Sequence, residues 1–238
     1  MIFDKYVLIE IKDMDCRLKF PFSWLIVGSS GCGKTTHVLN FLRYQAEMTN
    51  NPLCKNIIYF YNEWQDAFTS IKNENIVTSW QKGLPTLEMV KTAVINYTSS
   101  GGSIVVIDDF AHMINQDILE MFTVLSHHMN CCIILLSQFL FSKNPIHRMI
   151  SLNSTYITVF KNPRDNQQIA SLARQIRPND FRYIMESYIE ATKKPYSYLF
   201  FDNHQQTDDR IRVRSRILPS EAPMIAWISK KHLFKEGL

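Results

Sequence analysis

The sequence lacks any run of the roughly 18 apolar residues that a membrane-spanning helix requires. Its opening stretch, MIFDKYVLIEIKDMD, alternates apolar with charged side chains and has no basic head before an apolar core, which is the pattern of a secretory signal. We therefore expect neither secretion nor a membrane partner. Cysteine is scarce as well: the five cysteines are an odd number without regular spacing, which excludes a disulfide framework and predicts reduced thiols inside a cell.

Charge of one sign is not in large excess either. The formal net charge is +4, which is too small by itself to indicate a nucleic-acid partner. Apolar residues make up 46% of the 238 residues, so the chain is long enough and apolar enough for one sizeable core. Without an internal repeat or a clear linker, we predict a core at residues 1–202 and a basic C-terminal appendage at residues 203–238 that packs on it.

Apolar runs of strand length alternate with helical patterns along the chain. The runs are WLIV, NIIYFY, SIVVID, CCIILL and TYITVF, and YVLIEI before them reads as a strand or hairpin that leads into WLIV. Segments with apolar residues at helical spacing lie between these runs. One is NQDILEMFTVLSHHM, where Asn115 is suited to cap the start of the helix. Because the strands are apolar on both faces, the pattern predicts an α/β fold with a mostly parallel sheet and helices on both faces.

The stretch GSSGCGKT after the run WLIV matches the phosphate-binding pattern GxxxxGK[ST]. Glycines let the backbone curl so that its N–H groups face a β-phosphate, while Lys34 reaches the β and γ oxygens. The hydroxyl of Thr35 is placed to bind Mg²⁺. The sequence therefore predicts a site for a nucleoside triphosphate and Mg²⁺ in a P-loop NTPase. The predicted nucleotide-binding residues are Gly28, Ser29, Ser30, Gly31, Cys32, Gly33, Lys34, Thr35 and Thr36.

Polar side chains also follow two of the other predicted strands. SIVVIDD ends in Asp108 and Asp109, so Asp108 is placed to hold Mg²⁺ at the carboxyl edge of the sheet. The second carboxylate, Asp109, is suited to orient or deprotonate an attacking water. CCIILLSQ ends in Gln138, whose amide can sense the γ-phosphate if the two strands are neighbours.

Two arginines are candidates for stabilising transition-state charge. Arg164 lies just before a helix whose start carries the capping-box pattern of Asp165 and Gln168, and Arg148 follows the strand that ends in Gln138. Position alone favours the alternative that both arginines pair with surface carboxylates.

The segment DDRIRVRSRIL places four arginines at every second position: Arg210, Arg212, Arg214 and Arg216. If the segment is extended, all four project from one face and form a basic stripe that can follow a phosphate backbone. A charged edge strand that only blocks aggregation is an equal alternative.

Taken together, the motifs resemble the genome-packaging ATPases of the FtsK/HerA superfamily, in the branch found in poxviruses and in the polinton, adintovirus and virophage lineage. The resemblance rests on GSSGCGKTT, IVVIDDF, LLSQ and RMISLNSTYITVFKNPRDNQQIASLARQ, between residue 24 and residue 177. It implies a RecA-like core and a homo-oligomeric ring, hexameric or pentameric, that hydrolyses ATP between subunits. The ring drives double-stranded DNA into a preformed capsid, so the implied partners are DNA and a capsid or portal vertex.

The resemblance also implies a role for each site residue. Lys34 and Thr35 bind phosphate and Mg²⁺, Asp108 is the metal-binding acid, Asp109 the catalytic acid and Gln138 the sensor. Many members of the wider superfamily carry glutamate at the position of Asp109. The shorter side chain needs a closer approach or an intervening water.

Arg148 and Arg164 become, by the same resemblance, candidates for a finger supplied by the neighbouring subunit, and the sequence does not choose between them. The implied location is the virus assembly site in an infected host cell, with association with the virion as a further option. The alternative functions are a small-molecule kinase of the nucleoside type, a nucleotide-dependent assembly scaffold, and a helicase-like motor outside packaging.

Overall fold

The computed structural model describes residues 6–11, 14–51, 54–110, 113–164 and 166–233. Within these residues, ten strands form one sheet. The strands are β1 (Tyr6–Glu10), β2 (Ser23–Val27), β3 (Asn56–Tyr61), β4 (Ser79–Lys82), β5 (Ser103–Asp108), β6 (Cys131–Ser137), β7 (Tyr156–Phe160), β8 (Tyr198–Asp202), β9 (Val213–Ser215) and β10 (Ile225–Ser229).

Helices lie between the strands of the parallel part of the sheet and between β7 and β8. They are α1 (Lys34–Met48), α2 (Asp66–Asn73), α3 (Leu87–Val94), α4 (Gln116–Glu120), α5 (Ser126–His128), α6 (Pro145–Leu152), α7 (Asn166–Ile176), α8 (Phe181–Ala191) and, after β10, α9 (Lys230–Leu233). A π-helical turn, Met121–Leu125, joins α4 to α5, so the helix predicted there is continuous but widened. The predicted cap is confirmed, since the side chain of Asn115 accepts a hydrogen bond from the Ile118 N–H.

The order of strands across the sheet is β1-β10-β9-β8-β7-β2-β6-β5-β3-β4. The six strands from β7 to β4 run parallel to one another. The other four strands pair antiparallel. Short connections join β8 to β9 and β9 to β10, as antiparallel pairing allows, whereas two helices lie between β7 and β8, and β1 comes from the other end of the chain. The predicted α/β fold with a mostly parallel sheet is confirmed, and the antiparallel part is an addition that the strand-helix alternation did not predict.

Two apolar cores lie on opposite faces of the sheet, because successive strand residues point to opposite sides. In β2, Leu25 and Val27 contact one core, whereas Trp24 and Ile26 contact the other. Helices α1 and α2 cover the second face, and α3, α4, α6, α7 and α8 cover the first. No helix in the described ranges is long and apolar enough to cross a membrane.

The opening strand lies far from its predicted place. β1 pairs antiparallel with β10, with Leu8 opposite Trp227, and three strands separate β10 from β2. The hairpin interpretation of YVLIEI is therefore wrong. An apolar run shows that a segment is extended, but it does not show which strand will pair with it.

The prediction of a basic stripe of arginines is wrong as well. Residues 209–211 form a 3₁₀ turn, and only Val213–Ser215 is extended, so the period of two does not continue through the segment. Arg214 is buried and forms an ion pair with Asp202 on β8, with 2.6 Å between Nη2 and Oδ2. Arg210 pairs with Asp208. The physical reason is that an acidic partner on the neighbouring strand holds Arg214 inside the protein.

The predicted capping box before α7 depends on Asp165, which lies outside the described residues. Its partner, Gln168, accepts hydrogen bonds at Oε1 from the N–H groups of Leu140 (2.7 Å) and Phe141 (3.0 Å). The side chain therefore ties α7 to the loop that leaves β6, beside the carboxyl edge of the sheet.

Candidate functional site

The loop between β2 and α1 adopts backbone conformations that require glycine. Gly31 and Gly33 have φ values of 74° and 103°, in the left-handed region that side chains disfavour. At Gly28, an added Cβ would lie 2.5 Å from Sγ of Cys32 and 2.8 Å from Cβ of Phe160. The tight curl that the sequence predicts is therefore present, at the N-terminus of a 15-residue helix.

Lys34 is held over this loop. Its Nζ donates hydrogen bonds to the carbonyl oxygens of Gly28 (2.7 Å) and Ser29 (3.0 Å). The ammonium thus lies at the mouth of the curled backbone, where a phosphate group can exchange for the carbonyl contacts.

A cavity of about 610 Å³ opens beside the loop. Of the nine predicted nucleotide-binding residues, six line it and three, Gly28, Ser29 and Cys32, do not. The six are Ser30, Gly31, Gly33, Lys34, Thr35 and Thr36.

Asp108 ends β5 at the edge of this cavity and is only 3% exposed. Its Oδ2 accepts hydrogen bonds from the hydroxyls of Thr35 (2.9 Å) and Tyr59 (2.7 Å). Burial raises the pKa of Asp108, and the two hydroxyl hydrogen bonds oppose that shift. The structure therefore brings together the two oxygen donors, Thr35 and Asp108, that the sequence predicts for a metal.

Tyr59 is a partner that the sequence analysis missed. It lies on β3, fully buried, and burial together with the charge of Asp108 raises its pKa well above the usual value, so the hydroxyl stays protonated and donates. The only signal in the sequence is a tyrosine inside an apolar strand, and such residues occur in many cores that have no function.

Asp109 and Gln138 both line the cavity. Asp109 is exposed and has a φ of 69°, a conformation that aspartate tolerates better than most residues. β6, which Gln138 follows, lies between β2 and β5, so the condition that the sequence analysis set for Gln138, a strand next to that of Asp108, is met. Ser137 lines the cavity too, and its hydroxyl donates to the Phe139 carbonyl (2.9 Å).

Neither predicted arginine lines the cavity within the described part of the chain. Arg148 lies on α6 and Arg164 in the turn after β7, and both are exposed. The structure therefore does not bring them to the phosphate end of the site in one chain.

The opposite side of the cavity is built by residues that the sequence analysis did not select. Five of them are aromatic or polar and belong to α1 or to the segment from β7 to residue 221: His37, Phe160, Tyr196, Tyr198 and Glu221. No motif marks them, because each comes from a different element and only the fold brings them together.

The donors fit Mg²⁺ and a nucleotide. A hydroxyl and a carboxylate are the hard oxygen ligands that Mg²⁺ prefers, and it takes one or two from a protein when phosphate oxygens supply others. The described residues contain no group of three or more histidine, cysteine, aspartate or glutamate side chains that could hold a metal alone. The site is thus suited to a metal that arrives with a phosphate ligand.

A family model described as "Poxvirus A32 protein" matches residues 12–172 of the chain. No curated protein matches it in sequence.

Solved structures with the same fold include the genome packaging NTPase B204 from Sulfolobus turreted icosahedral virus 2. Its complex with ATP-gammaS has a TM-score of 0.54 and 16% identity, and the match covers 78% of this chain and 94% of that one. Its complex with sulfate has a TM-score of 0.55 and 16% identity, and the match covers 82% of this chain and 95% of that one. B204 from Sulfolobus turreted icosahedral virus, described as a DNA-packaging ATPase, has a TM-score of 0.52 and 15% identity, and the match covers 78% of this chain and 94% of that one. At these identities the likeness shows the fold.

Proposed function

The chain belongs to the poxvirus A32 protein family, and we propose that it hydrolyses ATP at the cavity beside its phosphate-binding loop to drive double-stranded DNA into a preformed capsid. Membership of this family makes it an ATPase that acts as a genome-packaging motor. The observation that carries the proposal is the 2.9 Å hydrogen bond between Thr35 and Asp108, which joins the loop to the acid 73 residues away. The kinase and scaffold alternatives gain no support.

The loop side of the site binds the triphosphate. The backbone N–H groups of residues 30–35 and the N-terminus of α1 attract the β-phosphate, and Lys34 offers its ammonium to the β and γ oxygens. Thr35 and Asp108 would hold Mg²⁺, which neutralises charge on the phosphates when bound. Tyr59 keeps the carboxylate of Asp108 in a fixed orientation.

The acid side of the site handles the attacking water. Asp109 lines the cavity and is exposed, so its carboxylate can accept a proton from a water that its hydrogen bond orients. Gln138 offers an amide donor and acceptor at the same edge of the sheet. Its role is to sense whether the γ-phosphate is still attached.

An arginine from a second copy of the chain stabilises the negative charge of the phosphates in the transition state. This part of the proposal is supported by the exposure of Arg148 and Arg164 and by their absence from the cavity within the described residues. Beside Arg148 on α6, Met149 and Leu152 are 47% and 60% exposed, which gives this helix an apolar surface for a neighbour. The functional unit is a homo-oligomeric ring of six or five subunits.

The setting follows from the activity. The ring meets a capsid or its portal vertex at the virus assembly site inside an infected cell, and copies that stay attached become associated with the virion.

Two variants test the chemistry. Asp109→Asn keeps a residue that tolerates the left-handed backbone, so the loop should hold its shape while the carboxylate is lost. We expect ATP hydrolysis to fall by on the order of 10²- to 10⁴-fold with little change in ATP affinity. Lys34→Ala should instead abolish ATP binding.

The readouts are steady-state phosphate release and calorimetric titration with ATP. An Asp109→Asn variant that hydrolyses ATP at the parent rate would show that Asp109 is not the base.

A further inference from the structure

The cavity beside the phosphate-binding loop has a side that phosphate chemistry leaves unused. It is formed by residues around β7 and β8: Phe160, Tyr196, Tyr198, Leu218 and Glu221, with His37 of α1. Asp108, Asp109 and Gln138 come from β5 and β6, on the other side of β2. A triphosphate that points its γ end toward the acids leaves its nucleoside end toward this second side.

We infer that this second side is the nucleobase subsite, in which Tyr196 stacks on the base and Glu221 selects adenine over 6-oxo purines such as guanine. The inference rests on the proposed function, because it assumes that the loop holds the triphosphate. It adds the residues that decide which nucleoside triphosphate the motor uses.

Tyr196 has the position of a stacking platform. It is 69% exposed although it lines the cavity, and its ring is near the loop, since a Cβ added at Gly33 would lie 3.5 Å from its Cδ1. Its φ of 61° is unusual for a bulky residue and costs conformational energy. An aromatic ring held in such a conformation at a cavity mouth offers a flat surface to a base.

Glu221 has one oxygen in use and one available. Its Oε2 accepts hydrogen bonds from the Tyr198 hydroxyl and from the Leu218 N–H (3.3 Å), which fix the carboxylate. No described residue donates a hydrogen bond to Oε1.

The chemistry of the free oxygen favours adenine. A single acceptor matches the exocyclic 6-amino group of adenine, which donates. Guanine and hypoxanthine carry an oxygen at that position, so a lone pair would face a lone pair. A carboxylate that reads the two donors of guanine needs both oxygens, and here Tyr198 and Leu218 already use one.

His37 supports this side of the cavity from beneath, packed against the rings of Phe160 and Tyr198. It is 4% exposed, it lines the same side, and both ring nitrogens lack a hydrogen-bond partner among the described residues. Burial lowers the pKa of His37 to about 3, so the ring is neutral at physiological pH. The ring nitrogens are closed off from the cavity, so His37 shapes this side by packing and does not bond to the base.

The test measures the affinities of ATP, GTP, inosine triphosphate and 2′-deoxy-ATP by calorimetric titration. Glu221→Gln keeps the acceptor for Tyr198 and Leu218 and presents an N–H₂ group to the base. We expect it to lower the ratio of ATP to inosine triphosphate affinity by roughly 10-fold, because it favours the oxygen over the amine. An unchanged ratio would overturn the selection by Glu221, and so would a change only in the ratio of ATP to 2′-deoxy-ATP affinity, which would assign Glu221 to the ribose.

The stacking role has its own pair of variants. Tyr196→Gly removes the ring and relieves the left-handed backbone, so a loss of affinity cannot be ascribed to a strained fold. We expect ATP affinity to fall by roughly 10-fold or more, whereas Tyr196→Phe should keep it. Parent affinity in Tyr196→Gly would overturn the stacking role.

Lys34→Ala separates this inference from the function beneath it. If Lys34→Ala still binds ATP as tightly as the parent, the proposed triphosphate site fails. If it loses binding while the Glu221 and Tyr196 variants match the parent, only the nucleobase subsite fails.

Discussion

One carboxylate oxygen of Asp108 accepts hydrogen bonds from two hydroxyl groups, those of Thr35 and Tyr59. Thr35 belongs to the phosphate-binding motif, whereas Tyr59 comes from β3 and is not itself among the residues that line the cavity. When a metal takes the hydroxyl of Thr35, the hydrogen bond from Tyr59 is the contact that keeps the buried carboxylate oriented.

Tyr59→Phe should therefore weaken the use of Mg²⁺. We expect the Mg²⁺ concentration that gives half-maximal nucleotide binding to rise by roughly 10- to 100-fold, because outer hydrogen-bond partners of metal ligands typically have effects of that size. The measurement is a calorimetric titration with ATP, repeated at a series of Mg²⁺ concentrations.

Tyr61→Phe is the matched control, since Tyr61 is two residues further along β3 and packs in the same aromatic cluster with Phe68 and Trp80. An equal Mg²⁺ requirement in Tyr59→Phe and the parent would show that Tyr59 only fills space.

At the residue scale, the sequence predicts the residues whose spacing is dictated by local chemistry. Lys34 and Thr35 lie in one continuous motif, and Asp108 ends an apolar strand, so each can be found without the fold. Tyr59 and Glu221 cannot, because their neighbours in space are distant in the chain and neither residue type is diagnostic. The roles of Asp109, Gln138, Arg148 and Arg164 stay predictions. So do those of the loop residues Gly28 to Thr36.

At the scale of the element, β9 shows why a periodic pattern can mislead. Asp208 accepts a hydrogen bond from the Arg210 N–H (2.8 Å) and starts a 3₁₀ turn, which ends the alternation before Val213. In the short strand that remains, Arg214 packs over the ring of Phe200, 4.9 Å from its centroid, and bonds to Asp202. Period two predicts which residues share a face only while the backbone stays extended.

Arg214→Met should destabilise the fold, because it leaves Asp202 buried without its cation. We expect a loss of roughly 3 to 5 kcal/mol in the free energy of unfolding, which is typical when one partner of a buried ion pair is removed. Chemical denaturation measures it, and the double variant Arg214→Met with Asp202→Asn should recover part of the loss.

Arg216→Met provides the comparison, since Arg216 is exposed. A surface change of this kind alters the free energy of unfolding by no more than about 0.5 kcal/mol. If the two methionine variants were equally stable, the buried ion pair would not hold this part of the sheet.

For the whole molecule, the sheet joins the two ends of the chain. β10 lies between β1 and β9, so the residues after 203 supply two strands to the same sheet as the phosphate-binding loop. We therefore propose that residues 203–233 belong to the ATPase fold and not to a separate unit. The division at residue 203 stays a prediction. The same segment brings Glu221 to the cavity.

The alternation of strands and helices predicts the parallel half well, since each βαβ crossover leaves a periodic signature of its own. The position of β1 carries no such signature, because its partner is at the opposite end of the chain.

One measurement tests the central claim most directly: the rate of ATP hydrolysis as a function of protein concentration, with and without double-stranded DNA. A packaging ring with an arginine supplied in trans predicts a rate that rises more than linearly with protein and is stimulated by DNA. Mixing subunits that carry Lys34→Ala with subunits that carry Arg148→Ala or Arg164→Ala should restore activity only for the arginine that acts across the interface. A rate that is linear in protein and indifferent to DNA, with phosphate passed to a nucleoside acceptor, would contradict the account.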